Sequence, residues 1–186
     1  TGAATIEKAK IQDINDLQSV VPSLRVTQLQ TSANTNFVIR GFGNGANNAG
    51  IEPSVGIFID GVYRSRSAAA IGDLPKLERV EVLRGPQSTL FGKNASAGVI
   101  SVVTAKPSFE TTGFVEAGYG SYNQINGKGY FSTAIGENAA FSVSGGINKR
   151  DGYAESLNAN SDDSNDRNRW NVRGQLLFQP SDNSEI

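Results

Sequence analysis

LPKLERVEVLRGPQSTLFGKNASAGVISVVTAKP, residues 74–107, places two apolar runs on either side of a turn crowded with glycine, hydroxyls and a lysine. The turn invites a phosphate-loop reading, and its spacing rules that out. A Walker loop requires G-x-x-x-x-G-K followed by Ser or Thr, whose hydroxyl holds magnesium. Here six residues separate Gly85 from Gly92-Lys93, and Asn94 stands where the hydroxyl belongs. The flanks read as strands. LERVEVL (77–83) sets Val80 and Val82 against Arg79 and Glu81, a half-charged strand, and VISVVT (99–104) is a buried-strand run.

Composition narrows the chemistry. The 186 residues suffice for one or two ordinary domains, and the net charge of −1 offers no field that would attract nucleic acid. Cysteine, histidine and methionine are absent, which removes thiolate and imidazole metal sites, cysteine nucleophiles, Ser-His-Asp triads and disulfides. No paired carboxylates are recognisable, so an enzyme is not expected. No apolar run reaches the roughly 18 residues of a transmembrane helix, and no signal peptide stands at the start. Without an initiator Met, the chain reads as processed or as a fragment.

The two halves follow different patterns. Residues 1–107 read as an α+β globule, a mixed sheet with short helices. Asp13 can cap a helix running to Val21, with Ile14, Leu17 and Val21 on one face and Pro22 as its stop. Extended runs follow at 24–30, 37–40 and 54–59, the last turned at Asp60-Gly61 into Val62-Tyr63. Helical turns are expected at 67–71 and 87–91. Residues 108–186 instead alternate with period two over about four strands, each about ten residues long, the length that crosses a bilayer as a tilted strand. Val115, Ile125, Phe131, Phe141, Val143, Trp170, Val172 and Leu176 fall on one face; Glu116, Lys128, Asn148, Arg169 and Arg173 fall on the other. A soluble sandwich also has an apolar face. The full charges on the polar face, and aromatics near strand ends (Tyr119, Phe141, Trp170, Phe178), favour a membrane barrel with a wet lumen. Short turns at 136–138 and 180–184, against a long acidic loop at 151–168, match the inner and outer sides of such a barrel, with 120–122 a short exception. Asn158, Asn160 and Asp162 alternate like a calcium loop. However, Asp163 and Arg169 replace the glycine and glutamate that loop needs, so no metal site is expected.

The string at 74–107, with NFVIRGFG at 36–43 and VGIFIDGVY at 55–63, resembles the ordered motifs of the plug in TonB-dependent outer-membrane receptors. The resemblance covers essentially the whole chain and implies a plug (1–107) inside a barrel of about 22 strands, of which 108–186 supplies the first. Gly85, Gly92 and Gly98 then serve the compact plug backbone. Four strands cannot close that barrel, so the resemblance marks the chain as a fragment. The family's TonB box lies upstream of Thr1.

The resemblance also implies site residues. Arg40, Glu78, Arg79, Glu81 and Arg84 match charges that hold the plug to the barrel wall. Asn44, Asn47, Asn48 and Glu52, with Tyr63, Arg64 and Arg66, fall at plug apices that meet a polar or anionic ligand. The implied function is active transport of a scarce nutrient, foremost a ferric siderophore, across the outer membrane of a Gram-negative bacterium. No cofactor is expected beyond iron carried by the ligand. The partners are periplasmic TonB with its inner-membrane energising complex, and outer-membrane lipid. The rival is a soluble or surface-exposed β-rich ligand-binding module without transport. Cobalamin, haem and oligosaccharides use the same plug, so the cargo stays open.

Overall fold

The computed structural model describes residues 2–9, 11, 14–28, 35–43, 51–65, 76–154 and 164–181. The chain divides into two compact units, residues 1–105 and 106–186.

The first unit opens with a helix that the apolar pattern does not announce, α1 (Ala3–Lys8), which buries Ile6. A 3₁₀ helix at Ile14–Ser19 follows, where the sequence suggests a longer helix from Asp13 to Val21. Its Leu17 carbonyl accepts the N–H groups of both Val20 and Val21, a tight close that Pro22 makes final. Strands β1 (Leu24–Gln28) and β2 (Thr35–Ile39) form an antiparallel pair with Leu24 opposite Ile39. The main sheet has the order β4-β3-β6-β5, from β3 (Val55–Ile59), β4 (Val62–Tyr63), β5 (Leu77–Arg84) and β6 (Gly98–Thr104). Its central strands β3 and β6 run parallel and are nearly continuous apolar runs, as strands covered on both faces must be. The edge strand β5 alternates instead, burying Val80 while Arg79 and Glu81 stay exposed. Ile14, Leu17, Leu24, Ile39, Ile57, Ile100 and Val102 form one core with almost no solvent contact.

Three backbone positions fix this sheet. Asp60 and Gly61 have φ of 50° and 78°, so both central residues of the β3–β4 turn are left-handed, the type I′ geometry that matches strand twist. The Asp60 carboxylate then accepts the Thr104 backbone N–H at 2.8 Å and the Thr104 hydroxyl, joining the ends of β3 and β6. At Gly98 a Cβ would lie 2.5 Å from the Leu83 carbonyl oxygen and 2.7 Å from Ile39 Cδ1, so only hydrogen fits between β5 and the first sheet.

The second unit is a meander of long antiparallel strands, β7 (Thr112–Gly120), β8 (Gln124–Ala134), β9 (Ala139–Arg150) and β10 (Arg167–Phe178), each paired with its neighbour in sequence. They are 9, 11, 12 and 12 residues long. The register carries one face from Val115 to Gly129, Gly145 and Val172, and the other from Glu116 to Lys128, Gly146 and Asn171. This is the alternation expected from the sequence. The burial is inverted relative to a water-soluble sheet. Val115 is 88% exposed and Trp170 76%, whereas Ser132 and Asn148 on the opposite face are 0% and 3% exposed.

Candidate functional site

The plug-apex residues named from the sequence fall in two groups. Asn44, Asn47, Asn48 and Arg66 lie outside the described residues, as do the helical turn expected at 67–71 and the calcium-like alternation at 158–162. Glu52, Tyr63 and Arg64 are described, and Glu52 and Tyr63 each engage a residue of the turn at 92–94. The helix α2 (Ser88–Phe91) lays Phe91 edge-on against Phe58 at 5.1 Å, and Phe58 packs against Tyr63 at 5.4 Å. Gly92, with φ of 85°, reverses the chain directly after that helix. The reversal delivers Lys93 and Asn94 to the apex residues. Asn94 Nδ2 donates to the Tyr63 hydroxyl at 2.7 Å, and Lys93 Nζ lies 2.9 Å from Glu52 Oε2. The hydrogen bond to Glu52, helped by the same carboxylate's charge, holds the Lys93 ammonium above its usual pKa. Both members of that pair are exposed, so it orients the segment at 51–54 more than it stabilises the fold.

The Lys93–Asn94 turn therefore belongs with Glu52 and Tyr63 in space. No sequence spacing links it to residues some thirty or forty positions upstream; the parallel pairing of β3 with β6 does. Arg64, next to Tyr63 in the sequence, has its guanidinium Nε buried without a hydrogen-bond partner among the described residues. Chemically the turn, Glu52 and Tyr63 together offer an ammonium, an amide, a phenol and a carboxylate in one place, suited to a polar ligand with anionic groups.

The charges named as wall contacts separate differently. Arg79 donates to Glu78 at 2.5 Å and to Glu81 at 2.8 Å, a triad within β5 that is about half exposed throughout. Arg84 is exposed at the other end of β5. Arg40 is exposed and left-handed at φ 53°, and its backbone N–H donates to Ser23. The structure does not gather these five into one cluster.

In the second unit the polar face carries the Glu116–Lys128 ion pair at 3.1 Å, with Lys128 also over the Phe114 ring. At the long-loop end, Arg150 stacks on Tyr153 at 4.9 Å and donates to the Asn165 carbonyl. Tyr119 donates to Asn123, which in turn donates to Asp151 at 2.7 Å, so the β7–β8 turn is tied to the base of the next loop.

Residues 1–99 match the family model described as the TonB-dependent receptor plug domain. The chain belongs to the TonB-dependent receptor plug family. The pesticin receptor of Yersinia enterocolitica is 30% identical over 126 residues, which cover 68% of this chain and 18% of that receptor. The vitamin B12 transporter BtuB of Vibrio vulnificus is 29% identical over 153 residues, covering 80% of this chain and 24% of BtuB. The ferric yersiniabactin uptake receptor FyuA of Yersinia pestis superposes with a TM-score of 0.90 at 27% identity, covering 98% of this chain and 28% of FyuA. The chain thus spans about a seventh to a quarter of the length of the curated relatives it matches. Its fold is a plug followed by the first antiparallel strands of a barrel, and its place is the outer membrane of a Gram-negative bacterium.

Proposed function

We propose that residues 1–107 are the plug, and 108–186 the opening strands, of a receptor that imports a scarce nutrient across the outer membrane, with a ferric siderophore as the cargo. The observation that carries this reading is the inverted burial of β7 to β10. A sheet whose apolar face is open while serines and asparagine are covered is stable where the open face meets hydrocarbon. A closed barrel needs more strands than these four, because edges β7 and β10 cannot remain unpaired in lipid. A water-soluble binding module would leave Val115, Trp170, Val172 and Leu176 facing water as one patch, an aggregation hazard.

The plug gates the lumen and meets ligand through Asn44, Asn47, Asn48, Glu52, Tyr63, Arg64 and Arg66, to which Lys93 and Asn94 are now joined. Arg40, Glu78, Arg79, Glu81 and Arg84 hold it to the wall. Polar contacts suit that task because they exchange with water at modest cost when the plug is displaced. Periplasmic TonB, energised from the inner membrane, supplies the displacement. Support for iron as the cargo comes from the similarity to a ferric yersiniabactin receptor; the likeness to BtuB keeps cobalamin as the comparison arm. The test is uptake of radiolabelled ferric siderophores and of cobalamin by a receptor-deficient strain given the full-length protein. Siderophore uptake that stops when the proton-motive force is collapsed is expected. Uptake of neither ligand, or uptake indifferent to the proton-motive force, refutes the proposal.

A further inference from the structure

The apolar face of β7 to β10 carries one charged side chain among the described residues, Lys149. It sits in the last row of this face before the long loop, one pair inside Arg150–Arg167, opposite Ile125 on one side and Asn168 on the other, and it is exposed. Its ammonium makes no ion pair with any described residue. One row inward the register places Ile147 beside Trp170, and Tyr119 lies opposite Ile125. Three kinds of N–H donor, an ammonium, the Asn168 amide and the Trp170 indole, therefore share two adjacent rows of one face. Apolar side chains, Ile147 and Val172, continue from them toward the middle of the strands.

A lysine at the bilayer midplane costs about 2–4 kcal/mol, falling toward zero near the interface, where a headgroup can meet it. The position of Lys149 at the rim thus agrees with the membrane reading and adds charge complementarity to it. We propose that Lys149, Asn168 and Trp170 form a docking site for the phosphate of an outer-leaflet glycolipid, with the acyl chains lying along Ile147 and Val172. The occupant is a lipid rather than a soluble anion because the donors open onto an apolar surface, not into the polar lumen face. The proposal rests on the barrel reading above and on the long loop marking the outer side.

The full-length receptor in detergent is titrated by native mass spectrometry with diphosphorylated lipid A, with the same lipid lacking its phosphates, and with inorganic phosphate. Phosphorylated lipid A should bind best. Lys149→Ala should weaken it about fivefold, the factor expected for one lysine at an anionic headgroup, while Lys149→Arg retains it. Lys128→Ala, on the opposite face, should leave lipid binding unchanged. Equal binding by Lys149→Ala, equal binding of the dephosphorylated lipid, or displacement of the lipid by equimolar inorganic phosphate overturns the proposal. Heat-modifiable migration in gels is read on the same samples. If it is present and Lys149→Ala changes nothing, only this site fails; if the wild-type protein lacks it, the barrel reading fails as well.

Discussion

In residues 1–105 the deeply buried side chains include Ile14, Leu17, Leu24, Ile39, Ile57, Ile100 and Val102; in residues 106–186 Ser132, Ser142, Ser144 and Asn148 are covered while Val115, Trp170, Val172 and Leu176 stand open. Both units obey the same rule, that apolar surface leaves water. They differ in where it goes. The plug folds its aliphatic side chains onto one another, so its sheet has apolar central strands and a charged edge. The strand unit keeps an apolar face open and, on the membrane reading, takes lipid as its second layer, because among its described residues no helix or second sheet covers that face. The sign of burial therefore reports the solvent, which neither amphipathicity nor strand length does alone.

The largest effects break this comparison at its two extremes. Ile57→Ala removes a side chain fully enclosed in the plug core and should destabilise that unit by about 2–5 kcal/mol. Limited proteolysis of the full-length receptor should show faster cutting before residue 105, with heat-modifiable migration of the barrel retained. Equal sensitivity of both units would mean that they do not fold on separate cores. Val172→Arg, at the middle of β10 on the open face, should cost about 2–4 kcal/mol if that face meets hydrocarbon. The variant should be depleted from the outer membrane, whereas Val172→Leu should insert normally. Normal insertion of Val172→Arg would remove lipid as the covering layer.

Smaller changes sharpen the comparison inside the plug. Asp60→Ala discards the carboxylate that accepts from Thr104 and places alanine at a left-handed turn position. A loss of about 2 kcal/mol is expected from an anion-assisted hydrogen bond, read as a lower denaturant midpoint. Asp60→Asn, which tolerates the same backbone and can still accept, should recover part of it. Smallest of all, Glu52→Gln breaks an ion pair whose members are both exposed, and should leave the unfolding midpoint where it was. If Glu52 serves the ligand, the same variant will alter uptake at unchanged receptor abundance; a shift in stability instead would make the pair structural.

Much of this was legible in the linear sequence because it depends on neighbours. Period two sets the faces of β7 to β10, and the register then keeps Phe131 with Val143 and Glu116 with Lys128, since pairing by consecutive hairpins preserves parity. Asp60-Gly61 encodes its own turn, because few residues accept two successive positive φ values. The half-charged β5 beside the apolar β6 likewise follows from composition. By contrast, α1 has too few apolar residues to display a helical stripe, and Ile6 is buried only because the rest of the core receives it. The 3₁₀ form of 14–19 reflects the tight closure ahead of Pro22, which periodicity does not record.

The candidate site was legible only in part. Glu52, Tyr63 and Arg64 could be named from motif position, yet Lys93 and Asn94 could not, since nothing local connects them to β3. Only the tertiary structure decided that partnership, through the parallel pairing of β3 with β6 and the Phe58–Phe91 contact that aims the turn. It also decided that Arg79 engages Glu78 and Glu81 within its own strand. Sequence determines what each short segment can become, because backbone conformation and facing are local; which distant segments share a site is set by strand order, a property of the whole packed chain.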